Sequence, residues 1–387
     1  MTNIRGNWNY PTTVWAGPGR LEEIAAACTR AGMTRPLIVT DAGLATHAMT
    51  ARCSELLGGA AVFADVAGNP SAAHVEKGLS AYRLGHHDGV VALGGGAALD
   101  TGKVVAFMSG QTRPLWDFED IGDWWTRADS AGIAPIVAIP TTAGTGSEVG
   151  RAGVILNEET HQKKIIFHPL MMPKVVILDP ELTIGLPRHV TAATGLDAFV
   201  HCFEAYCAPG FHPMAEGIAL EGMRLVAEYL PRACQNGQDL EARAQMLAAA
   251  SMGATAFQKG LGGVHAIAHP VGSWFNTHHG LTNAVILPYV MCHNRHAISD
   301  RCARIARVLG LADTSFDGLL AWVLALRTEL GIPHTLAEIG VDDRNADVIG
   351  RESALDPSAG GNPIAIDAAG YEAIFRDAIA GRMPAAA

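Results

Sequence analysis

Four short β-branched runs lie in this chain, Pro36–Asp41, Gly89–Leu93, Ile133–Ile139 and Lys174–Asp179, and all four precede residue 187. Each is apolar without alternation, and helical stretches separate them. That pattern predicts a parallel sheet covered on both faces. After about Pro187 the texture changes. Ala215–Leu230, Glu241–Ala256 and Phe316–Leu330 are rich in Ala, Leu, Glu and Arg at helical spacing, with no convincing strand among them. The expected organisation is therefore an α/β N-terminal domain over 1–186, then an all-α domain over 187–387. A length of 387 residues suits two domains, at about 100–200 residues each.

Composition removes several function classes. Apolar residues make up 49% and charged residues 17%, enough to bury a large core. With 28 Lys+Arg against 38 Asp+Glu the net charge is −10, and no basic stretch stands out, so no nucleic-acid partner is expected. Uninterrupted apolar windows stay below the roughly 18 residues of a spanning helix, so no membrane partner is expected either. The seven cysteines are scattered and form no CxxC, which reads as reduced thiols. The first residues show no charged-then-apolar signal pattern, and a cytoplasmic location is the expectation.

Two of the predicted strands run into loops suited to a phosphorylated ligand. Leu93-Gly94-Gly95-Gly96-Ala97 forms a strand-to-helix turn. Glycines there let a phosphate approach the backbone, and the helix N-terminus offers free N–H groups, although a tight turn with no ligand would need the same residues. Pro140-Thr141-Thr142-Ala143-Gly144-Thr145-Gly146-Ser147-Glu148 also follows a strand and adds hydroxyls. Together the loops suit a dinucleotide, hence a Rossmann-like dinucleotide-binding domain, even though neither matches G-x-G-x-x-G. Asp41 closes an earlier strand. A carboxylate there is either a turn former or an acceptor for the adenosine ribose, where it would repel a 2′-phosphate and favour NAD over NADP.

The histidines are unevenly spread. Half of the sixteen fall between 201 and 296, and His265, His269, His278 and His279 lie close together. Asp197 and His201 are four apart in a helical stretch, as are His265 and His269, so each pair shares a helix face. Both pairs are embedded in apolar residues. They are either buried polar groups each needing a partner or ligands of a metal. One carboxylate with several imidazoles and no thiolate suits Fe2+ or Zn2+ without choosing between them, and leaves a position for a substrate oxygen.

These stretches together resemble the iron-containing (group III) alcohol dehydrogenase family over nearly the whole chain. The resemblance is carried by Thr40-Asp41, Gly94–Lys103, Pro140–Val149, Gly195–His201, Gly263–Gly272 and His279–Pro288. It implies a dehydroquinate-synthase-like two-domain plan and metal-dependent hydride transfer between NAD(P) and a primary alcohol or aldehyde. It further implies that Asp197, His201, His265 and His279 bind the metal, and that His269 lies beside the substrate and passes the proton. Gly95, Gly96, Asp100, Thr141, Thr142, Thr145, Ser147 and Lys164 match positions lining the nucleotide cleft, with Asp41 at the ribose. The chain departs from the family at Ala97, where a Ser is usual, and at His278, a substrate contact or an exposed loop residue. Arg151 is either a surface residue or a contact for an anionic substrate tail.

Other dehydrogenase designs fit less well, since none of the six tyrosines is followed by Lys four residues later and no cysteine spacing supports a thiolate-bound zinc. The alternatives on the same plan are a glycerol-dehydrogenase-like polyol enzyme and a dehydroquinate-synthase-like lyase. Few basic residues between 187 and 290 count against the lyase. A non-catalytic binding scaffold would leave two phosphate-type loops without a purpose. A homodimer is the default expectation for assembly.

Overall fold

The computed structural model describes residues 6–8 and 12–383 of the chain. Contacts divide it into two compact units, Met1–Thr142 with Gly146–Gly185, and Ala143–Thr145 with Leu186–Ala387. No helix among the described residues is long and apolar enough to cross a membrane.

The first unit holds strands β1 (Gly6–Trp8), β2 (Thr13–Ala16), β3 (Pro36–Val39), β4 (Val62–Phe63), β5 (Gly89–Gly94), β6 (Ile136–Pro140), β7 (Ala152–Asn157), β8 (Gln162–Phe167) and β9 (Val175–Leu178). Helices α1 (Ile24–Ala31), α2 (Ala48–Leu56), α3 (Ala72–Leu84) and α4 (Gly96–Met108) accompany them. Seven strands make one sheet in the order β1-β2-β9-β6-β5-β3-β4. The pair β1–β2 is antiparallel and the six strands from β2 to β4 run parallel.

Every residue of β3, β5, β6 and β9 is buried. A strand covered on both faces has no solvent side for polar residues, which is why those four were readable as apolar runs. The predicted run 133–139 starts late, because β6 pairs only from Ile136; Pro135 before it still accepts the Val90 N–H at 3.0 Å. β7 and β8 form a separate antiparallel ribbon that the runs did not foretell. Its second strand begins Gln162-Lys163-Lys164 and is mostly half-buried, so its sequence looks like a loop.

From β3 the chain moves outward to β4, and from β5 it moves the other way to β6. Strand order reverses between β3 and β5, and at such a switch point the carboxyl ends of parallel strands form a ligand crevice. Asp41 follows β3, Gly94 ends β5 with Gly95 and Gly96 next, and Thr141–Thr142 follow β6.

The second unit is helical: α5 (Arg188–Cys207), α6 (Pro213–Gln235), α7 (Leu240–Ala256), α8 (Gly263–Phe275), α9 (His279–Val308), α10 (Phe316–Leu330), α11 (Ala346–Leu355) and α12 (Ala368–Ala380). The three predicted helical stretches lie within α6, α7 and α10. α5 is buried from Thr191 to Cys207 and packs against α6, α7 and α9. A helix buried on all sides belongs in a core, and α5, which carries buried Asp197, His201 and Glu204 among its apolar residues, is the axis of this one. Capping sets the neighbouring starts, with Asp239 accepting from Ala242 N ahead of α7 and Ser315 from Gly318 N ahead of α10.

Candidate active site

At the switch point, Gly94 has φ +145°, and a Cβ there would sit 2.7 Å from Ala98 Cβ and 3.1 Å from Asp41 Oδ2. Only glycine makes that turn and lets the carboxylate approach. Gly95 is the N-cap of α4 and Gly96 its first residue, so the unpaired amides of the first helical turn face the loop. Thr141 N donates to Gly94 O at 3.0 Å, joining the two loops. The Thr142 side chain lies 3.5 Å from where a Gly95 Cβ would be. Asp41 Oδ1 accepts from Leu44 N at 3.1 Å, so it does form a turn, while Oδ2 faces the glycines.

Of the remaining residues matched to the nucleotide cleft, several are tied to neighbouring side chains. Asp100 and Ser147 bond to each other, Oγ donating to Oδ1 at 2.5 Å, and Asp100 Oδ2 also accepts from Val154 N. Lys103, 1% exposed, lies 3.2 Å from Asp100 and donates to the carbonyls of Ser147 and Ala152. The trio is a strut that holds the Thr-rich loop against α4. Lys164 on β8 pairs with Glu119 at 3.2 Å. Thr145 belongs to the short segment that packs with the helical unit. The Arg151 guanidinium lies 5.6 Å from the Phe167 ring.

In the helical unit, three helices each contribute residues four apart to one place. α5 brings Asp197 and His201, α8 brings His265 and His269, and α9 opens with His279 and adds Asn283 one turn on. Asp197, His201, His265 and His279 offer ligand atoms that all lie within 4.8 Å of one another. The first three are buried and His279 is half-buried. Ring centroids are 4.7 Å apart for His201–His265 and 5.3 Å for His265–His279. Gly280 permits the approach of α9 to α5, since a Cβ there would fall 2.6 Å from Ala193 O and 3.0 Å from Asp197 Cβ. His269 sits beside the cluster, its ring 5.5 Å from that of His279. His278, exposed, caps α9 by accepting from Leu281 N.

Three further side chains were not anticipated from the sequence. Glu204, one turn beyond His201, accepts from Val264 N at 2.7 Å and meets His265 Nδ1 at 2.6 Å. Asp356 Oδ2 meets His269 Nδ1 at 2.8 Å while its Oδ1 accepts from Ser358 N. Asn283 Nδ2 donates to Asp197 Oδ1 at 2.7 Å and lies 3.2 Å and 3.1 Å from Nε2 of His265 and His279. The spacing of four from His279, repeating the other two pairs, was the available signal for Asn283.

Electrostatics agree with lone pairs that converge. A carboxylate accepts, so Glu204 and Asp356 place the protons of His265 and His269 on Nδ1 and leave each Nε2 with a lone pair. Burial drives the His201 pKa down to about 4, only partly offset by Asp197, so that ring is neutral. For His265, burial acts the same way, but the hydrogen bond and charge of Glu204, with Asp197 and Asp356, outweigh it and raise the pKa. Burial would raise the Asp356 carboxyl, yet its interaction with His269 and the hydrogen bonds from His269 and Ser358 hold it below the ordinary range. Around Asn283 Nδ2, a carboxylate oxygen and two imidazole nitrogens compete for two hydrogens. Buried acceptors gathered in excess of donors are what a divalent cation requires, and a set of one carboxylate and three imidazoles fits Fe2+ or Zn2+.

Comparison with known proteins identifies the family. The family model for iron-containing alcohol dehydrogenase matches residues 11–180, and the model for the C-terminal region of the Fe-containing alcohol dehydrogenase family matches residues 191–379. A 4-hydroxybutyrate dehydrogenase of Cupriavidus necator is 37% identical, covering 96% of this chain and 99% of its own. An NAD-dependent methanol dehydrogenase of Bacillus methanolicus is 32% identical, covering 92% and 95%. Among solved structures, a 1,3-propanediol oxidoreductase superposes with a TM-score of 0.90 at 33% identity, covering 95% and 97%. Two family models spanning both units, with relatives matched end to end, leave one assignment: the chain belongs to the iron-containing alcohol dehydrogenase family, oxidoreductases that act on the CH–OH group of alcohols.

Proposed function

We propose that Asp197, His201, His265 and His279 hold one divalent cation, Fe2+ or Zn2+, and that the chain catalyses hydride transfer between NAD, in preference to NADP, and a primary alcohol or aldehyde. The observation that carries this is the four ligand atoms within 4.8 Å of one another on three helices. A cation there supplies Lewis acidity toward the alcohol or aldehyde oxygen, and the nicotinamide takes or gives the hydride.

The chain's own residues do the rest. Residues 1–186 serve as the cofactor domain and 187–387 as the metal and substrate domain. The amides at the start of α4 and the hydroxyls of Thr141 and Thr142 offer donors to a pyrophosphate. Asp41 accepts from a ribose hydroxyl and repels a 2′-phosphate. His269, its Nδ1 held by Asp356, presents Nε2 to accept the proton released in oxidation and return it in reduction. Relatives named for methanol, 1,3-propanediol and 4-hydroxybutyrate place simple alcohols, diols and ω-hydroxy acids on the substrate panel.

The test is that panel, assayed with NAD and NADP after loading with Fe2+ or Zn2+, for wild type and His265→Ala. Expected are metal-dependent NADH formation in the wild type, and loss of bound metal and turnover in the variant with NAD affinity nearly intact. Full activity of the variant without metal would overturn the ligand assignment. Catalysis with no net NADH formation would favour the lyase alternative, which regenerates its NAD.

A further inference from the structure

We infer that Asn283 is a positioning residue of the cation site: its amide holds Asp197 in place throughout, and restrains His265 and His279 only until a cation takes their lone pairs. This rests on the cation reading above.

Asn283 is fully buried, on the first turns of α9, with Nδ2 2.7 Å from Asp197 Oδ1 and 3.2 Å and 3.1 Å from the two imidazole nitrogens. Its Oδ1 is buried with no hydrogen-bond partner. An unmade buried acceptor is costly, so something enforces this orientation. Turning the amide over would put a carbonyl oxygen where the nitrogen now faces a carboxylate oxygen at 2.7 Å, and two acceptors repel at that distance. Asp197 therefore fixes the rotamer.

The three acceptors are not equivalent. A carboxylate offers about four lone-pair sites, so Asp197 can accept from Asn283 and serve a cation together. An unprotonated imidazole nitrogen has a single lone pair, which can meet the amide or the cation but not both. The Asp197 contact is compatible with loading, whereas the two histidine contacts give way. Asn283 thus keeps three elements of the site converged beforehand and orients the one anionic ligand afterwards. Partners that orient ligands in this way change metal affinity by about 10- to 100-fold when removed.

The experiment is chelator competition for Zn2+ with purified wild type, Asn283→Leu and Asn283→Ala, with melting temperatures measured metal-free and Zn2+-loaded. For Asn283→Leu, Zn2+ affinity is expected to fall about 10- to 100-fold. A purely structural asparagine would lower both melting temperatures alike and leave Zn2+ affinity at the wild-type value; that result overturns the inference. Should the leucine variant not fold, Asn283→Ala decides. It removes the donor to Asp197 without adding bulk or charge, so Zn2+ should raise its melting temperature by less than it raises that of wild type. An equal or larger rise also overturns the inference. Failure of the wild type itself to bind Zn2+ or Fe2+ would refute the cation site instead.

Discussion

Glu204 Oε2 lies 2.6 Å from His265 Nδ1, while the other oxygen of the same carboxylate accepts the Val264 N–H at 2.7 Å. One buried side chain on α5 therefore holds both the first turn of α8 and the ring of a candidate ligand on it. The bond settles which nitrogen of His265 is free and makes that nitrogen more basic. Glu204→Gln keeps the shape and an acceptor but removes the charge. Zn2+ affinity should drop about 10- to 100-fold by chelator competition, with the fold retained by circular dichroism. Unchanged affinity would mean that Glu204 serves only to start α8.

A second carboxylate–imidazole pair does a different task. Asp356 holds His269, which sits beside the four ligands without belonging to them. His269→Ala should keep the full metal content by elemental analysis and lose about 100- to 10,000-fold in kcat, the span of a positioned proton-transfer group. Asp356→Asn, which still accepts from Nδ1 but without charge, should lose less, again with metal content unchanged. If His269→Ala lost its metal, His269 would be part of the coordination set.

Legibility of the sequence follows the physics of each element. The four strands buried on both faces could be read because burial excludes polar residues from them, whereas β7 and β8, half-buried and carrying Lys163 and Lys164, could not. Asp197/His201 and His265/His269 stood out because polar pairs at helical spacing are rare in apolar surroundings. Glu204 and Asp356 are single polar residues whose partners are remote, Glu204 meeting His265 across 61 positions and Asp356 meeting His269 across 87, and Asn283, four residues from His279, reaches Asp197 across 86. Only the folded helices bring them together. Asp100 and Ser147 could be recognised by resemblance, but their bond to each other across 47 positions could not.

Asp41 gives a prediction about cofactor choice. One carboxylate oxygen accepts from Leu44 N and the other faces the glycine turn. Asp41→Asn preserves an acceptor for the turn while removing the charge that repels a 2′-phosphate. The ratio of kcat/KM for NADPH over NADH should rise at least several-fold, with little change in melting temperature. A ratio that does not move would place the ribose away from Asp41.

His201 carries a pH dependence that belongs to the metal-free protein. Its pKa is about 4 when folded, because the ring is buried, against about 6.5 in an unfolded chain. Between those values the unfolded state binds the extra proton, so stability falls as the pH drops from 6.5 toward 4 and is retained above 6.5. The full difference of about 2.5 pKa units corresponds to roughly 3 kcal/mol. His265 is shifted the other way by Glu204 and offsets part of this, so the comparison must isolate one ring. Urea melts of chelator-treated wild type and His201→Gln over pH 4 to 6.5 do so. The variant should lose less stability than wild type on acidification, and parallel slopes would mean that the His201 ring is protonated as readily folded as unfolded.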